Sequence, residues 1–186
     1  QIVFVSSHVS DETIAILKSQ LREMLRREAR SGDSYAVSDG VADWIKRHPQ
    51  VRTIATFAAL PDEVDLTELV TLFPEKCWLF PRVDGEGVCF HASTDPTRDL
   101  VPGAFGILEP RADSPIVPID EIDAFLCPGM AFDRQGGRLG RGKGFYDRLL
   151  SQARTDAHKI GIAFPSQIVP NTHCEAHDIP MDEVIS

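Results

Sequence analysis

Residues 134–148, called the cationic segment below, combine residue types that suit phosphate chemistry. Five glycines lie within nine positions, at 136, 137, 140, 142 and 144. Arg134, Arg138, Arg141 and Lys143 precede or alternate with them. Glycine lets the backbone adopt positive φ and bring its N–H groups close to phosphate oxygens, and the basic side chains add charge-assisted hydrogen bonds. The pattern therefore predicts a site for an anionic ligand.

The elements around the cationic segment strengthen this prediction. The apolar run at 124–127 predicts a buried strand, and a helix is predicted from about Gly144 to Ala153. The segment then leads from a strand to a helix N-terminus, where free N–H groups and the helix dipole favour an anion. Asp147 follows Lys143 by four residues, so both could face one cleft. Its carboxylate oxygens suit Mg²⁺.

The segment does not match the two common phosphate-binding motifs. A Walker A loop needs Ser or Thr where Gly144 stands. A dinucleotide-binding fingerprint needs a different glycine spacing and an acidic residue about 20 positions later, on a second strand. Composition alone leaves one alternative open, which is a glycine-rich hairpin with solvated arginines.

The rest of the chain alternates between helical and extended patterns. Helices are predicted at 11–30, capped by Ser10, at 39–46 and at 65–72. Strands are predicted at 51–60, 77–80, 88–92, 124–127 and 160–164, with a hairpin turn at 85–87 and an irregular connection at 94–118. This order favours an α/β fold with a mainly parallel sheet. We expect one domain of residues 1–186, of which 1–10 could form an N-terminal extension.

Composition restricts the classes of partner. The 186 residues carry a formal net charge of −9, which argues against general binding of nucleic acid. No apolar stretch is long enough to span a membrane, and no export signal is visible, so we expect a cytoplasmic protein. The four cysteines lack metal-site spacing, and His173, Cys174 and His177 have no second cluster to complete a zinc site.

The chain resembles the 5-formyltetrahydrofolate cyclo-ligase (5,10-methenyltetrahydrofolate synthetase) family. The longest match is Pro128-Gly129-x-Ala131-Phe132-Asp133-x-x-Gly136-x-Arg138-Leu139-Gly140-Arg141-Gly142-Lys143-Gly144-Phe145-Tyr146-Asp147. Shorter matches are Lys18-x-x-Leu21-Arg22, residues 57–63, Gly106-Ile107-x-Glu109-Pro110 and Asp178-x-x-Met181-Asp182-Glu183-Val184. The family often has Tyr where this chain has Phe145. The resemblance covers about residues 14–185.

The resemblance implies a fold and an activity. The fold would be a three-layer sandwich like that of ribose-5-phosphate isomerase and CoA-transferases. The activity would be conversion of 5-formyltetrahydrofolate to 5,10-methenyltetrahydrofolate, with ATP cleaved to ADP and phosphate and with Mg²⁺ required. The reaction would pass through a phosphorylated formyl intermediate. The partner would be the folate substrate, and we expect the protein to be a monomer.

The resemblance also assigns roles to residues. Lys143 and Arg141 would be catalytic, and Asp147 and Asp178 would hold Mg²⁺. ATP would contact Lys18, Arg22, Arg138, Leu139, Gly140, Arg141, Gly142, Lys143, Gly144, Phe145 and Tyr146. The folate would contact Ala58, Glu63, Phe105, Arg141, Gly142, Lys143, Gly144 and Phe145.

Two other functions stay open at the level of sequence. A non-catalytic folate- or nucleotide-binding protein could share the fold, but it would be expected to lose Lys143, Arg141 or Asp147, and all three are present. A sugar-phosphate isomerase or acyl-CoA transferase relative could also share it. A transferase should carry a nucleophilic glutamate in its own motif, and no such motif is evident.

Overall fold

The helices and strands were assigned in a computed structural model that describes residues 10–27, 32–85, 87–103 and 106–186. The helices are α1 (Asp11–Arg27), α2 (Ser34–Arg47), α3 (Thr67–Leu72), α4 (Pro96–Asp99) and α5 (Phe145–Leu150), with 3₁₀ turns at Ile119–Glu121 and Pro165–Gln167. The strands are β1 (Thr53–Ala55), β2 (Cys77–Asp84), β3 (Gly87–Ala92), β4 (Leu100–Pro102), β5 (Leu108–Pro110), β6 (Ile116–Val117), β7 (Ala124–Cys127), β8 (Ala131–Phe132), β9 (Arg138–Leu139), β10 (His158–Ile162) and β11 (Glu183–Ile185).

Seven of these strands form the central sheet, in the order β11-β10-β7-β1-β2-β3-β6. All neighbours from β11 to β2 are parallel, whereas β2–β3 and β3–β6 are antiparallel. The predicted α/β fold with a mainly parallel sheet is confirmed. Two small antiparallel pairs, β4–β5 and β8–β9, lie outside this sheet.

The direction in which strands are added reverses at β1. From β1 the chain builds outward through β2, β3 and β6, and it then returns to add β7, β10 and β11 on the other side of β1. Ala55 of β1 pairs with Phe125 of β7, so the two strands end close together. In α/β sheets the crevice outside the carboxyl ends of strands at such a reversal is the usual ligand site.

Helices cover both faces of the sheet. Ala124 and Leu126 of β7 belong to a buried cluster with α2 and α3, which includes Trp44 and Leu69. Phe125 and Cys127 point the other way, into a cluster with Leu149 and Leu150 of α5. Because both faces of β7 are buried, its sequence is uniformly apolar rather than alternating.

Two predicted strand boundaries are wrong by four residues or more, and both errors lie next to the crevice. The strand predicted at 51–60 stops at Ala55, where the pairing with β2 and β7 stops, and the chain turns away into an irregular loop. The strand predicted to stop at Pro81 continues to Asp84. Pro81 pairs with Phe90 of β3 on one side, and on the other side of β2 the strand β1 has already ended. Proline has no N–H to donate, but no strand lies there to accept a hydrogen bond from it.

Other differences involve short elements. The helix predicted at 39–46 begins earlier, at Ser34, because Asp33 caps it by accepting from the Tyr35 N–H at 2.9 Å. The connection at 94–118 contains α4, β4, β5 and β6. The Ser10 cap of α1 is confirmed, with the Thr13 N–H donating to its hydroxyl. The predicted end of that helix at Arg30 lies outside the described residues.

None of the described helices is long and apolar enough to cross a bilayer.

Candidate functional site

A cleft of about 570 Å³ lies at the carboxyl ends of β1 and β7. Its walls come from α1, the loop after β1, the hairpin β2–β3, β5, the cationic segment and the chain around Asp178. The site residues predicted from sequence that line it are Lys18, Arg22, Ala58, Glu63, Arg138, Leu139, Gly140, Arg141, Gly142, Lys143, Gly144, Phe145, Tyr146, Asp147 and Asp178. The remaining one, Phe105, lies outside the described residues.

The first part of the cationic segment forms the turn and the second strand of a small hairpin, β8–β9. The Asp133 carboxylate fixes its turn by accepting hydrogen bonds from the backbone N–H groups of Gln135 and Gly137 at 3.0 and 2.9 Å. The same carboxylate accepts from the N–H and the hydroxyl of Thr172 at 2.9 and 2.6 Å. Burial raises the pKa of Asp133, but these four donors outweigh it and hold the pKa below its ordinary value.

Gly142 and Gly144 in the second half of the segment have backbone angles that favour glycine. Gly142 has a φ of +98°, and Gly144, which directly precedes α5, has a φ of +65°. L-residues with a Cβ rarely adopt such angles. The sequence therefore needs glycine here to turn the chain from β9 into the start of α5.

Lys18 joins α1 to the C-terminal part of the chain. Its ammonium lies 2.6 Å from Glu175 Oε2 and 2.5 Å from Asp178 Oδ2, and its side chain is only 8% exposed. Burial lowers the pKa of Lys18, but the hydrogen bonds to Asp178 and Glu175 outweigh it and keep the pKa above its ordinary value. One wall of the cleft is thus closed by a charged, largely buried ammonium.

Arg22 lies one helical turn after Lys18 and binds the cationic segment directly. Its Nε donates to the carbonyl of Gly140 at 2.9 Å. Burial is the main cause that lowers the pKa of Arg22 from its ordinary value, and repulsion from Arg26 is the second cause. An anion bound near the guanidinium would offset this lowering.

Arg138, Asp147 and Tyr146 form a compact group at the base of the segment. Arg138 Nη2 donates to Asp147 Oδ1 at 3.0 Å, and its guanidinium lies 5.3 Å from the centre of the Tyr146 ring. Burial raises the pKa of the Tyr146 phenol well above its ordinary value. Arg138 Nε and Tyr146 Oη are buried and have no hydrogen-bond partner among the described residues. Both atoms are donors that belong to residues lining the cleft.

Arg141 connects the cationic segment to the loop after β1. Its Nη2 donates to Asp62 Oδ1 at 2.8 Å and to Glu63 Oε1 at 2.9 Å. Burial lowers the pKa of Arg141, but the interactions with Glu63 and Asp62 outweigh it and raise the pKa. Glu63 is also held by the Leu60 N–H at 3.1 Å. Lys143, another exposed residue of the segment, also lines the cleft.

Carboxylates at the Lys18 side of the cleft could hold a cation. Glu175, His177 and Asp178 each offer one ligand atom, and these atoms lie within 4.8 Å of one another. The pKa of Asp178 is raised by burial, but Lys18 and the Glu175 N–H outweigh this effect and lower it, so the group is a carboxylate at neutral pH. The exposed histidine is a poor ligand for Mg²⁺, which prefers oxygen.

The opposite end of the cleft is mostly apolar. Pro81, Val83, Val88 and Ile107 line it, together with the single carboxylate of Glu109. Sequence reasoning noted residues 106–110 as a motif but gave Glu109 no role, and it missed Glu175 altogether. The Glu175-x-x-Asp178 spacing offered a weak signal for the latter, because residues three apart in a tight turn can share one partner.

Comparison with known proteins places this chain among folate enzymes. Residues 11–186 match the sequence model of the 5-formyltetrahydrofolate cyclo-ligase family. A 5-formyltetrahydrofolate cyclo-ligase of Mycolicibacterium smegmatis is 32% identical over 181 residues, which cover 91% of this chain and 93% of that protein. One of Escherichia coli K12 is 30% identical over 146 residues, which cover 72% and 77%.

Solved structures give the same result. The 5,10-methenyltetrahydrofolate synthetase of Aquifex aeolicus has a TM-score of 0.76 at 34% identity, covering 91% of this chain and 89% of that one. A synthetase of Mycoplasma pneumoniae shares the fold, with a TM-score of 0.73 at 22% identity over 90% and 97% of the two chains. With the family model matched over nearly all of its length, this chain belongs to the 5-formyltetrahydrofolate cyclo-ligase family of enzymes.

Proposed function

We propose that this protein converts 5-formyltetrahydrofolate to 5,10-methenyltetrahydrofolate, with cleavage of ATP to ADP and phosphate. The observation that carries the proposal is the division of the cleft. One side has the basic residues Lys18, Arg22 and Arg138 with the cationic segment, and the other is apolar with one buried carboxylate. A triphosphate suits the first side, and a flat heterocycle with polar edges suits the second.

The proposed chemistry begins with an unreactive amide. The nitrogen N5 donates electrons into the formyl carbonyl, which makes the formyl carbon a poor electrophile. Transfer of the γ-phosphoryl group to the formyl oxygen releases ADP and creates a phosphorylated intermediate. N10 then attacks the carbon and loses its proton, and phosphate leaves with the former formyl oxygen. The protein mainly has to align the two substrates and neutralise the transferring phosphoryl group.

The basic residues fit these needs. We assign Lys143 and Arg141 to the transferring phosphoryl group, as the two basic side chains nearest the middle of the cationic segment. Arg22, Arg138 and the backbone N–H groups of the segment would contact the other phosphates of ATP. We also propose that Arg141, which is held by Glu63, orients the folate next to ATP.

The donor set is also compatible with Mg²⁺. Arg138 occupies Oδ1 of Asp147, and Lys18 occupies Oδ2 of Asp178, so each carboxylate keeps a second oxygen. Hard oxygen ligands of this kind suit Mg²⁺, which also takes oxygens from phosphates. Bound there, Mg²⁺ would neutralise charge on the phosphates, while Arg138 and Lys18 orient the two carboxylates.

Further parts of the proposal concern the whole protein. We propose that the protein is a single-domain enzyme and that it acts as a monomer. We also propose a relation to the folds of ribose-5-phosphate isomerase and CoA-transferases, and a cytoplasmic location. These last two rest on the resemblance and the sequence.

A direct assay tests the proposed reaction. Purified protein is given 5-formyltetrahydrofolate, ATP and Mg²⁺, and the absorbance of the methenyl product is followed with release of ADP. We expect product only when all three are present, and loss of activity with a chelator that excess Mg²⁺ reverses. Folded protein that binds the folate without forming product would instead favour the non-catalytic binding protein.

A further inference from the structure

Glu109 is a buried acidic residue at the apolar end of the cleft. It lies in β5, is 4% exposed, and lines the cleft near Val83 and Ile107. A Cβ at Gly103 would collide with its carboxylate, so the Gly103 backbone packs directly against this group. The local structure therefore leaves space for a carboxylate here.

The hydrogen-bonding capacity of Glu109 is largely unused. An ionised carboxylate can accept about four hydrogen bonds. Among the described residues, Glu109 accepts one, from the Val83 N–H to Oε1 at 3.3 Å, beyond the usual range for such bonds. Arg82 Nη1 forms a long ion pair with Oε2 at 3.5 Å and also donates a hydrogen bond to the Pro110 carbonyl at 2.8 Å.

The other carboxylates that line the cleft have close cationic partners. Glu63 is bound by Arg141 at 2.9 Å, Asp147 by Arg138 at 3.0 Å, and Glu175 and Asp178 by Lys18 at 2.6 and 2.5 Å. The ion pair of Glu109 with Arg82 is longer, at 3.5 Å. Burial of a carboxylate is costly unless hydrogen bonds replace those lost to water. A ligand with N–H donors would supply the missing hydrogen bonds.

We infer that Glu109 recognises the 2-amino-4-oxopyrimidine edge of the pterin ring, a step that rests on the proposed function. This edge presents two adjacent donors, the 2-amino group and N3–H, which match the two oxygens of one carboxylate. The apolar side chains around Glu109 pack against the ring faces. In this arrangement the formyl end of the substrate points toward the cationic segment, so Glu109 determines specificity and orientation rather than reactivity.

A purely structural role is the competing explanation. Glu109 could serve only to tie β5 to β2 through Val83 and Arg82. Substitution would then reduce stability, and it would affect both substrates alike. Recognition of the pterin edge predicts instead an effect on the folate alone, which depends on the amino group of the ligand.

The test compares binding of 5-formyltetrahydrofolate with binding of its analogue in which a methyl group replaces the 2-amino group. Calorimetry gives both dissociation constants, and that of ATP, for the wild type, Glu109→Gln and the exposed control Glu121→Gln. We expect the wild type and the control to bind the folate about 10- to 100-fold more tightly than the analogue. Glu109→Gln should lose affinity for the folate by a similar factor, discriminate little between the two ligands, and bind ATP unchanged.

Other outcomes separate the two proposals. Wild-type protein that binds the folate and the analogue equally overturns the role of Glu109 without use of any variant. Equal losses for folate and ATP in Glu109→Gln, with a lowered melting temperature, also overturn it in favour of the structural role. Folded wild-type protein that does not bind the folate at all contradicts the proposed function itself.

Discussion

Arg141 Nη2 lies 2.9 Å from Glu63 Oε1, which joins two loops that are 78 residues apart in the sequence. One loop follows β1 and the other follows the β8–β9 hairpin. The contact therefore spans the crevice at the point where the strand order reverses. Glu63 is 9% exposed as a side chain and Arg141 is 42% exposed. The acidic partner is therefore fixed, and the basic one reaches into the cleft from an exposed loop.

We expect Arg141 and Glu63 to act as a unit on the folate substrate. Arg141→Lys removes the guanidinium fork and Glu63→Gln removes its charge, so each should lower kcat/KM for the folate. The double variant should lose less than the product of the two single losses, with a coupling energy of about 0.5–3 kcal/mol. Steady-state kinetics of the four proteins measure this coupling. The exposed pair Asp43–Lys46 on α2 provides the control, and fully additive losses for Arg141 and Glu63 would refute the coupling.

Removal of the Lys143 side chain should separate activity from stability. Lys143 is exposed and lines the cleft, so Lys143→Ala should shift the melting temperature by only about 2 °C. Turnover should fall about 100-fold or more, because the variant lacks the cation that we propose at the transferring phosphoryl group. Calorimetry and the methenyl assay test the two parts. A large loss of stability would instead show that Lys143 stabilises the fold of the cationic segment.

Backbone strain introduced at Gly142 should weaken ATP binding, whereas similar strain introduced at Gly85 should not. Gly142→Ala forces a Cβ into a residue with a φ of +98°, at a cost of about 1–2 kcal/mol. We expect a raised KM for ATP, because Gly142 belongs to the cationic segment and a Cβ there would lie 3.7 Å from the guanidinium of Arg22. Gly85→Ala, with a φ of +58° in the β2–β3 turn, is the matched control. It should lose similar stability, and equal kinetic losses in both variants would refute a local role for Gly142.

The pH dependence of stability should report on Asp133. Burial raises its pKa, but the hydrogen bonds from Thr172, Gly137 and Gln135 outweigh it and depress the pKa below 3.8 in the folded protein. Its stabilising contribution is therefore complete above the unfolded-state pKa and is lost as the pH falls through the folded-state pKa. At pH 7, Asp133→Asn should lower the free energy of unfolding by about 1.5–3 kcal/mol.

Urea unfolding at several pH values checks this expectation. The difference between wild type and Asp133→Asn should shrink as the pH falls below about 4. Asp156→Asn, at an exposed ion pair with Arg154, should change stability by about 1 kcal/mol or less. If the difference in free energy of unfolding between wild type and Asp133→Asn stays constant down to pH 2, the charge of Asp133 is not what stabilises the β8–β9 hairpin.

Short-range patterns in the sequence were sufficient for much of the fold. The uniformly apolar strand at 124–127 and the Ser10 cap of α1 depend on neighbouring residues, and both are confirmed. Longer irregular parts were predicted less well. The loop after Ala55 was assigned to a strand because Phe57 and Ala58 are apolar, and apolar residues that line a cleft have the same pattern as residues of a strand.

By itself the sequence determined that the chain has an α/β fold, that residues 134–148 carry a net positive charge within an acidic protein, and that it resembles one family of folate enzymes. These conclusions need only residue types and their spacing. Only the tertiary structure decided which distant groups meet: Lys18 with Glu175 and Asp178, Arg141 with Glu63, and Glu109 with an apolar wall. The reason is physical, since such contacts depend on where parallel strands end and on how tightly a helix packs beside them, and no local pattern encodes either distance.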